Sequence, residues 1–163
     1  MKDNYINKKC TLENFVLNNQ NNLAHEEIKN IIDKNNIIYN PLCICGANGV
    51  GKTHLLKALY ETQEDVKSKY ITVYDFMNDF INNISNNTMD DFRNLYKNLD
   101  ILIVDDFEFI INKEETQKEL YQIINYLMNK NKIIVMSSSI QYDKLSLIPK
   151  LYSKIVSGNI INI

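Results

Sequence analysis

The sequence predicts an α/β domain, a parallel sheet covered by helices. Three observations carry that expectation. Short β-rich apolar runs alternate with longer amphipathic ones along the chain. Gly46, Gly49 and Gly51, three of the only four glycines, separate one such run from the helix that follows it. The most apolar run, Ile101 to Val104, ends in two aspartates.

Element by element, a helix is expected near Asn22 to Lys34, with Leu23, Ile28, Ile31 and Ile32 on one face. After Pro41 comes a strand, Leu42 to Cys45, then a helix, Lys52 to Glu61. A strand over Tyr70 to Val73 leads into two helical pieces, Tyr74 to Ile84 and Met89 to Tyr96. Ile101 to Val104 is the strongest strand. Glu114 to Asn129 reads as a helix burying Leu120, Ile123, Ile124, Leu127 and Met128, followed by the strand Lys132 to Met136. A short element around Pro149 and a last strand, Asn159 to Ile163, close the chain. There is no internal repeat and no linker, so residues 1–163 form a single domain, with roughly the first eight residues flexible.

Composition narrows the function. A chain 45% hydrophobic and 23% charged is that of an ordinary globular protein long enough for one core. A net charge of −2 excludes the broad basic surface of a strong nonspecific nucleic-acid binder, though not a local basic patch. The apolar runs are too short to span a bilayer and the N-terminus lacks a signal peptide's apolar core, so a cytoplasmic protein without a membrane segment is expected. Three cysteines, an odd number, fit a reducing compartment. Cys43 and Cys45, two apart on a strand, should point to the same side as small buried residues. Only two histidines are present, neither beside that pair, which argues against zinc.

The glycine cluster fits G-x-x-x-x-G-K-[ST] across Gly46, Ala47, Asn48, Gly49, Val50, Gly51, Lys52 and Thr53, between a strand and a helix as a phosphate loop requires. Glycines there let successive N–H groups turn inward into an anion nest, which the following helix N-terminus reinforces. Lys52 would reach the β- and γ-phosphates of ATP and the Thr53 hydroxyl would ligate Mg²⁺. "ILIVDDFEF" delivers Asp105 and Asp106 to the C-terminal end of a buried strand, where ligands collect in open α/β sheets. Asp105 is placed to hold Mg²⁺ through water, and Asp106 to orient or deprotonate a hydrolytic water.

Longer stretches resemble the AAA+ ATPase domain of bacterial replication initiators of the DnaA family. They are "TLENFVLNNQNNLAH" (Thr11 to His25), "YNPLCICGANGVGKTHLLKAL", "FINNISNNTMDDFRNLYKNLDILIVDDFEFI", "KEETQKELYQIINYL" and "KIIVMSSS", which together run through nearly the whole chain. The resemblance implies a P-loop NTPase with a five-stranded parallel sheet of order 5-1-4-3-2, ATP or ADP in the crevice, and Phe15, Val16 and Asn21 near base and sugar. His54, directly after the loop, joins the nucleotide-site segment; His25 and His54 are read as structural, neither as catalytic. The segment before the metal-binding strand looks like the helical insertion of initiators and helicase loaders. In the family it contacts single-stranded DNA within an ATP-dependent filament. Arg93 and Lys97, four apart on one helical face, stand where this chain could do the same. The alternative is a solvated face on which they pair with Asp90 and Asp91.

Departures from the family pattern bear on mechanism. Arg93 is the only arginine in the chain. Where the family carries two arginines, one of them the finger that reaches a neighbouring subunit's γ-phosphate, "KLYSKIVSG" places Lys150 and Lys154. Lysine keeps the charge and loses the planar fork. The sensor position after the fourth strand, usually acidic, is Ser139, which can hydrogen-bond without adding charge. The helical lid that normally follows the sheet is absent, so self-assembly is not expected. The expectation is an ATP/ADP switch for replication initiation with weak ATPase activity. The alternative is a regulatory adaptor or helicase-loader-like module acting through replication proteins. A small phosphotransferase is disfavoured because the lone arginine lies in the insertion, leaving none for a phosphate-clamping lid.

Overall fold

The computed structural model describes residues 9–34 and 39–163; the first eight residues, expected to be flexible, lie outside them. Among these described residues thirteen elements follow in order. They are α1 (Asn22–Ile32), β1 (Leu42–Cys45), α2 (Lys52–Glu61), β2 (Ser68–Thr72), α3 (Val73–Ser85), α4 (Met89–Lys97) and β3 (Ile101–Asp105), then a 3₁₀ turn (Phe107–Ile110), α5 (Glu114–Asn129), β4 (Ile133–Ser138), a second 3₁₀ turn (Tyr142–Lys144), α6 (Pro149–Val156) and β5 (Asn159–Asn162). The strands form one five-stranded sheet, ordered β2-β3-β4-β1-β5, with every pairing parallel. That is the order 5-1-4-3-2 read from the other edge.

Strand alternation divides the core between the two faces of the sheet. Leu42, Ile44, Ile101, Ile103, Val135 and Ile161 pack against α1 and α2 through Ala24, Ile28, Leu55, Leu56 and Leu59. Cys43, Cys45, Leu102, Val104, Ile134 and Met136 pack on the opposite face against α3, α4, α5 and α6. The cysteines thus share one face as small buried groups, both as free thiols. Burial pushes the Cys45 thiol up to about 11, and that of Cys43 higher still. Four rings, Phe76 and Phe80 of α3 with Phe92 and Tyr96 of α4, meet at centroid distances from 5.0 to 6.5 Å and fix this helix pair on the sheet.

Several expectations change. The second strand runs Ser68–Thr72, and Val73 opens α3 instead of ending that strand. Met128, expected on the buried side of α5, is only partly buried. Leu23 is 53% exposed, because Ala24, one residue on, takes the inward position beside Ile28 and Ile31. β4 continues past Met136 to Ser138, so hydroxyls rather than methyls end the central strand. Among the described residues no helix is long and apolar enough to cross a membrane.

Candidate nucleotide site

β1 and α2 are joined by the turn Gly46 to Gly51, whose crest residues Ala47, Asn48 and Gly49 are exposed and whose Val50 is half-buried. Gly51, directly before α2, has φ +107°, and a Cβ there would lie 2.7 Å from the Phe15 ring. Both the left-handed backbone and the close ring call for glycine. Gly46 faces a different constraint: a Cβ would come 2.4 Å from the Ile163 carbonyl at the end of the edge strand. No side chain caps the N-terminus of α2, so its first N–H groups and its dipole are left to an anion. Lys52, 7% exposed, folds onto the turn and donates from Nζ to the carbonyls of Gly46 at 2.7 Å and Ala47 at 2.9 Å. Thr53 is exposed beside it.

The N-terminal segment lies over this turn. Thr11 and Asn14 cap each other, backbone N–H to side-chain oxygen in both directions. His54 Nε2 meets the Thr11 carbonyl at 2.8 Å, and the Phe15 ring sits between His25 (5.8 Å) and His54 (5.3 Å). Asn21 is 3% exposed; its amide donates to the Val16 carbonyl and its oxygen accepts from Asn18 N–H, shaping the bend that leaves the Val16 side chain 82% exposed.

Across the sheet, Asp105 is 1% exposed at the end of β3. Its Oδ1 accepts from the Ser137 hydroxyl and, at 3.0 Å, from Asp106 N–H; its Oδ2 accepts from the Tyr70 hydroxyl at 2.6 Å. Burial first, and this bond second, raise the Tyr70 pKa, so Tyr70 remains a donor. Asp106 turns the chain in a left-handed conformation, φ 56°. Next in line, Glu108 accepts from Ser139 twice, from its hydroxyl and from its N–H at 3.1 Å. Ser139 therefore shares its position with a carboxylate. Sequence reasoning missed Tyr70, Ser137 and Glu108; "DDFEF" held the one available signal, an acid three residues past Asp105.

Burial, then the carboxylates of Asp105 and Glu108, raise the Asp106 pKa, against an opposing pull from Lys52. A raised folded-state value means that ionised Asp106 opposes folding. The stability contributed by its protonated form is present below the ordinary aspartate pKa and lost as pH rises through the raised value. Asp106→Asn is expected to raise the thermal midpoint at neutral pH, with the gain vanishing as both proteins are acidified below the ordinary aspartate range. An unchanged or lower midpoint at neutral pH would contradict this reading.

The described residues contain no group of three or more His, Cys, Asp or Glu side chains able to hold a metal. Thr53 and Asp105 offer hard oxygen donors, which suit Mg²⁺ held jointly with phosphate oxygens and water. The structure does not bring Arg93, Lys97 or Lys154 to this site. The Arg93 guanidinium donates two hydrogen bonds, at 2.8 and 3.0 Å, to the two carboxylate oxygens of Glu119 of α5 rather than pairing within its own helix. Lys97 Nζ lies 5.2 Å from the centre of the Tyr126 ring. Both line a groove of about 670 Å³ between α4 and α5. Lys154 is in the last turn of α6, which runs into Gly158 against Pro41. That is the end of the sheet at which β1 begins, opposite the phosphate loop.

A family model of the bacterial DnaA ATPase domain matches residues 6–162. The chromosomal replication initiator protein DnaA of Levilactobacillus brevis is 40% identical over 162 residues, covering 96% of this chain and 35% of that protein. The chain thus spans about a third of the length of the curated relatives it matches. A solved replication initiator DnaA bound to AMPPCP and single-stranded DNA superposes with a TM-score of 0.92 at 34% identity, over 98% of this chain and 51% of the other. The DnaC helicase loader shares the fold, with a TM-score of 0.76 at 21% identity, over 94% of this chain and 96% of the other.

Proposed function

The chain belongs to the family of bacterial DnaA ATPase domains, and from that premise we propose that it is the ATP-binding module of a cytoplasmic replication initiator, switching between ATP and ADP forms. One observation supports this above the rest: an uncapped helix N-terminus, a left-handed Gly51 and a buried Lys52 converge on a turn at the same end of the sheet as Asp105 of β3. Phe15, Val16 and Asn21 border base and sugar, His54 braces the Phe15 segment, Lys52 and the loop N–H groups take the phosphates, and Asp106 orients the attacking water. Mg²⁺, held by Thr53 and through water by Asp105, would neutralise charge between β- and γ-phosphates. Hydrolysis is slow, because Lys154 lacks the fork of an arginine finger, a group contributing on the order of 10³ to 10⁵ in rate in other P-loop enzymes.

Single-stranded DNA contact falls to Lys97 and the exposed flank of Arg93, whose charge Glu119 largely neutralises. Affinity should fall with salt by a slope of about one counterion. A protein-partner output has its own support: from Tyr70 to Phe92 there is no Lys, Arg or His, while Tyr74, Ile81 and Ile84 of α3 are more than half exposed. Anisotropy of a labelled single-stranded oligonucleotide in Mg-ATP, Mg-ADP and no nucleotide separates the two. Binding strengthened by ATP and weakened by Arg93→Ala and Lys97→Ala supports the initiator switch. Binding absent or indifferent to nucleotide, with ATP binding verified, transfers the output to a protein partner.

A further inference from the structure

We infer that Tyr70 is the positioning residue of the metal-binding carboxylate: its hydroxyl, 2.6 Å from Asp105 Oδ2, fixes the orientation in which Asp105 meets a nucleotide-bound divalent cation. This rests on the nucleotide-binding reading above and adds to it a residue outside both sequence motifs.

The geometry leaves Asp105 no freedom of its own. Each carboxylate oxygen is held from a different neighbouring strand, Oδ1 by Ser137 of β4 and Oδ2 by Tyr70 of β2. Tyr70 is in register with Ile103, and Thr72 with Asp105, so the hydroxyl must reach two residues along the strand. That span is roughly 6.6 Å, about the length of a phenol side chain and beyond Ser, Thr or His. Tyr70 and Ile103 pack into the same layer, the one against α1 and α2, and alternation puts Asp105 on that face too, beside the helix that begins at Lys52. The ring is braced from α2, by Tyr60 at 6.2 Å and by Lys57 Nζ at 5.7 Å. A buried carboxylate with one oxygen released would rotate about its last torsion, and the water-bridged metal contact would lose its direction.

Tyr70→Phe keeps the ring and its α2 contacts and removes only the donor. A fluorescent ATP analogue titrated with Mg²⁺, in parallel with the same analogue in EDTA, reads the effect. The Mg²⁺ concentration for half-maximal binding should rise on the order of tenfold, with metal-free binding close to the parent's and the thermal midpoint lower by a few degrees, because a buried carboxylate oxygen loses its donor. In an Asp105→Asn background, Tyr70→Phe should add nothing. An Mg²⁺ midpoint equal to or below the parent's, or equal losses with and without Mg²⁺, overturns the inference. Should Tyr70→Phe not fold, Tyr70→His, too short for the span, is read by the same criteria. A parent protein that binds no analogue under either condition defeats the nucleotide reading itself, an outcome distinct from a binding parent with an indifferent variant.

Discussion

Lys52→Ala is expected to lose nucleotide binding by between about thirtyfold and a few thousandfold, which is what removing one partner of a desolvated charge pair costs, roughly 2 to 5 kcal/mol. The ammonium is the first residue of α2, 7% exposed, and is already aimed at the turn by its bonds to the Gly46 and Ala47 carbonyls. Its rotamer is therefore selected before any phosphate arrives, and binding need not order a long flexible side chain. The two carbonyls it leaves belong to a half-buried and an exposed residue that water can reach, so the fold should survive. Isothermal titration with Mg-ATP, with thermal denaturation as control, checks both parts. Affinity within about threefold of the parent, a difference of well under 1 kcal/mol, would remove Lys52 from the phosphate site.

Gly158→Ala should be the most destabilising single methyl in the chain, costing about 3 kcal/mol or more. Its Cβ would sit 2.0 Å from the Pro41 carbonyl oxygen and 2.6 Å from the Pro41 nitrogen. Both are backbone atoms, and no rotamer change relieves them. That carbonyl also accepts the first β5 bond, from Asn159 N–H at 2.9 Å, so the collision wedges the edge strand off β1 where the pairing begins. The far end of β5 bonds to Cys45 through Ile163 N–H at 2.8 Å and lies against Gly46, so weaker nucleotide binding should accompany the lower stability. A drop on the order of 10 °C in thermal midpoint is expected; a shift within about 2 °C would show that the α6–β5 junction relaxes freely.

The parts of the site legible in the sequence are those in which chemistry and backbone are contiguous. Gly46 to Thr53 and the start of α2 follow from one local pattern, and β3 announces itself because four apolar residues precede an acid. What holds that acid was illegible, since Tyr70 and Ser137 lie 35 and 32 residues away and meet it only once strand register is set. Leu23 failed for a related reason: a 3.6-residue pattern admits either Leu23 or Ala24 to the inner face, and packing on the sheet selects the smaller. Arg93 and Lys97 line one groove, but their partners there, Glu119 and Tyr126, come from α5 and carry no local signature.

The order β3-β4-β1 places one strand between the acid and the phosphate loop, and at the usual interstrand spacing that sets them roughly 10 Å apart. The intervening strand ends in Ser137 and Ser138, both small, and Gly46 N–H is tied to the Ser138 carbonyl at 3.1 Å. The sheet thus works as a fixed caliper, its jaws Lys52 and Asp105 and its gauge block β4, calibrated by the backbone hydrogen bonds that join the three strands. On the nucleotide-binding reading, that fixed gap is the reach a ligand needs to touch the ammonium and the carboxylate at once.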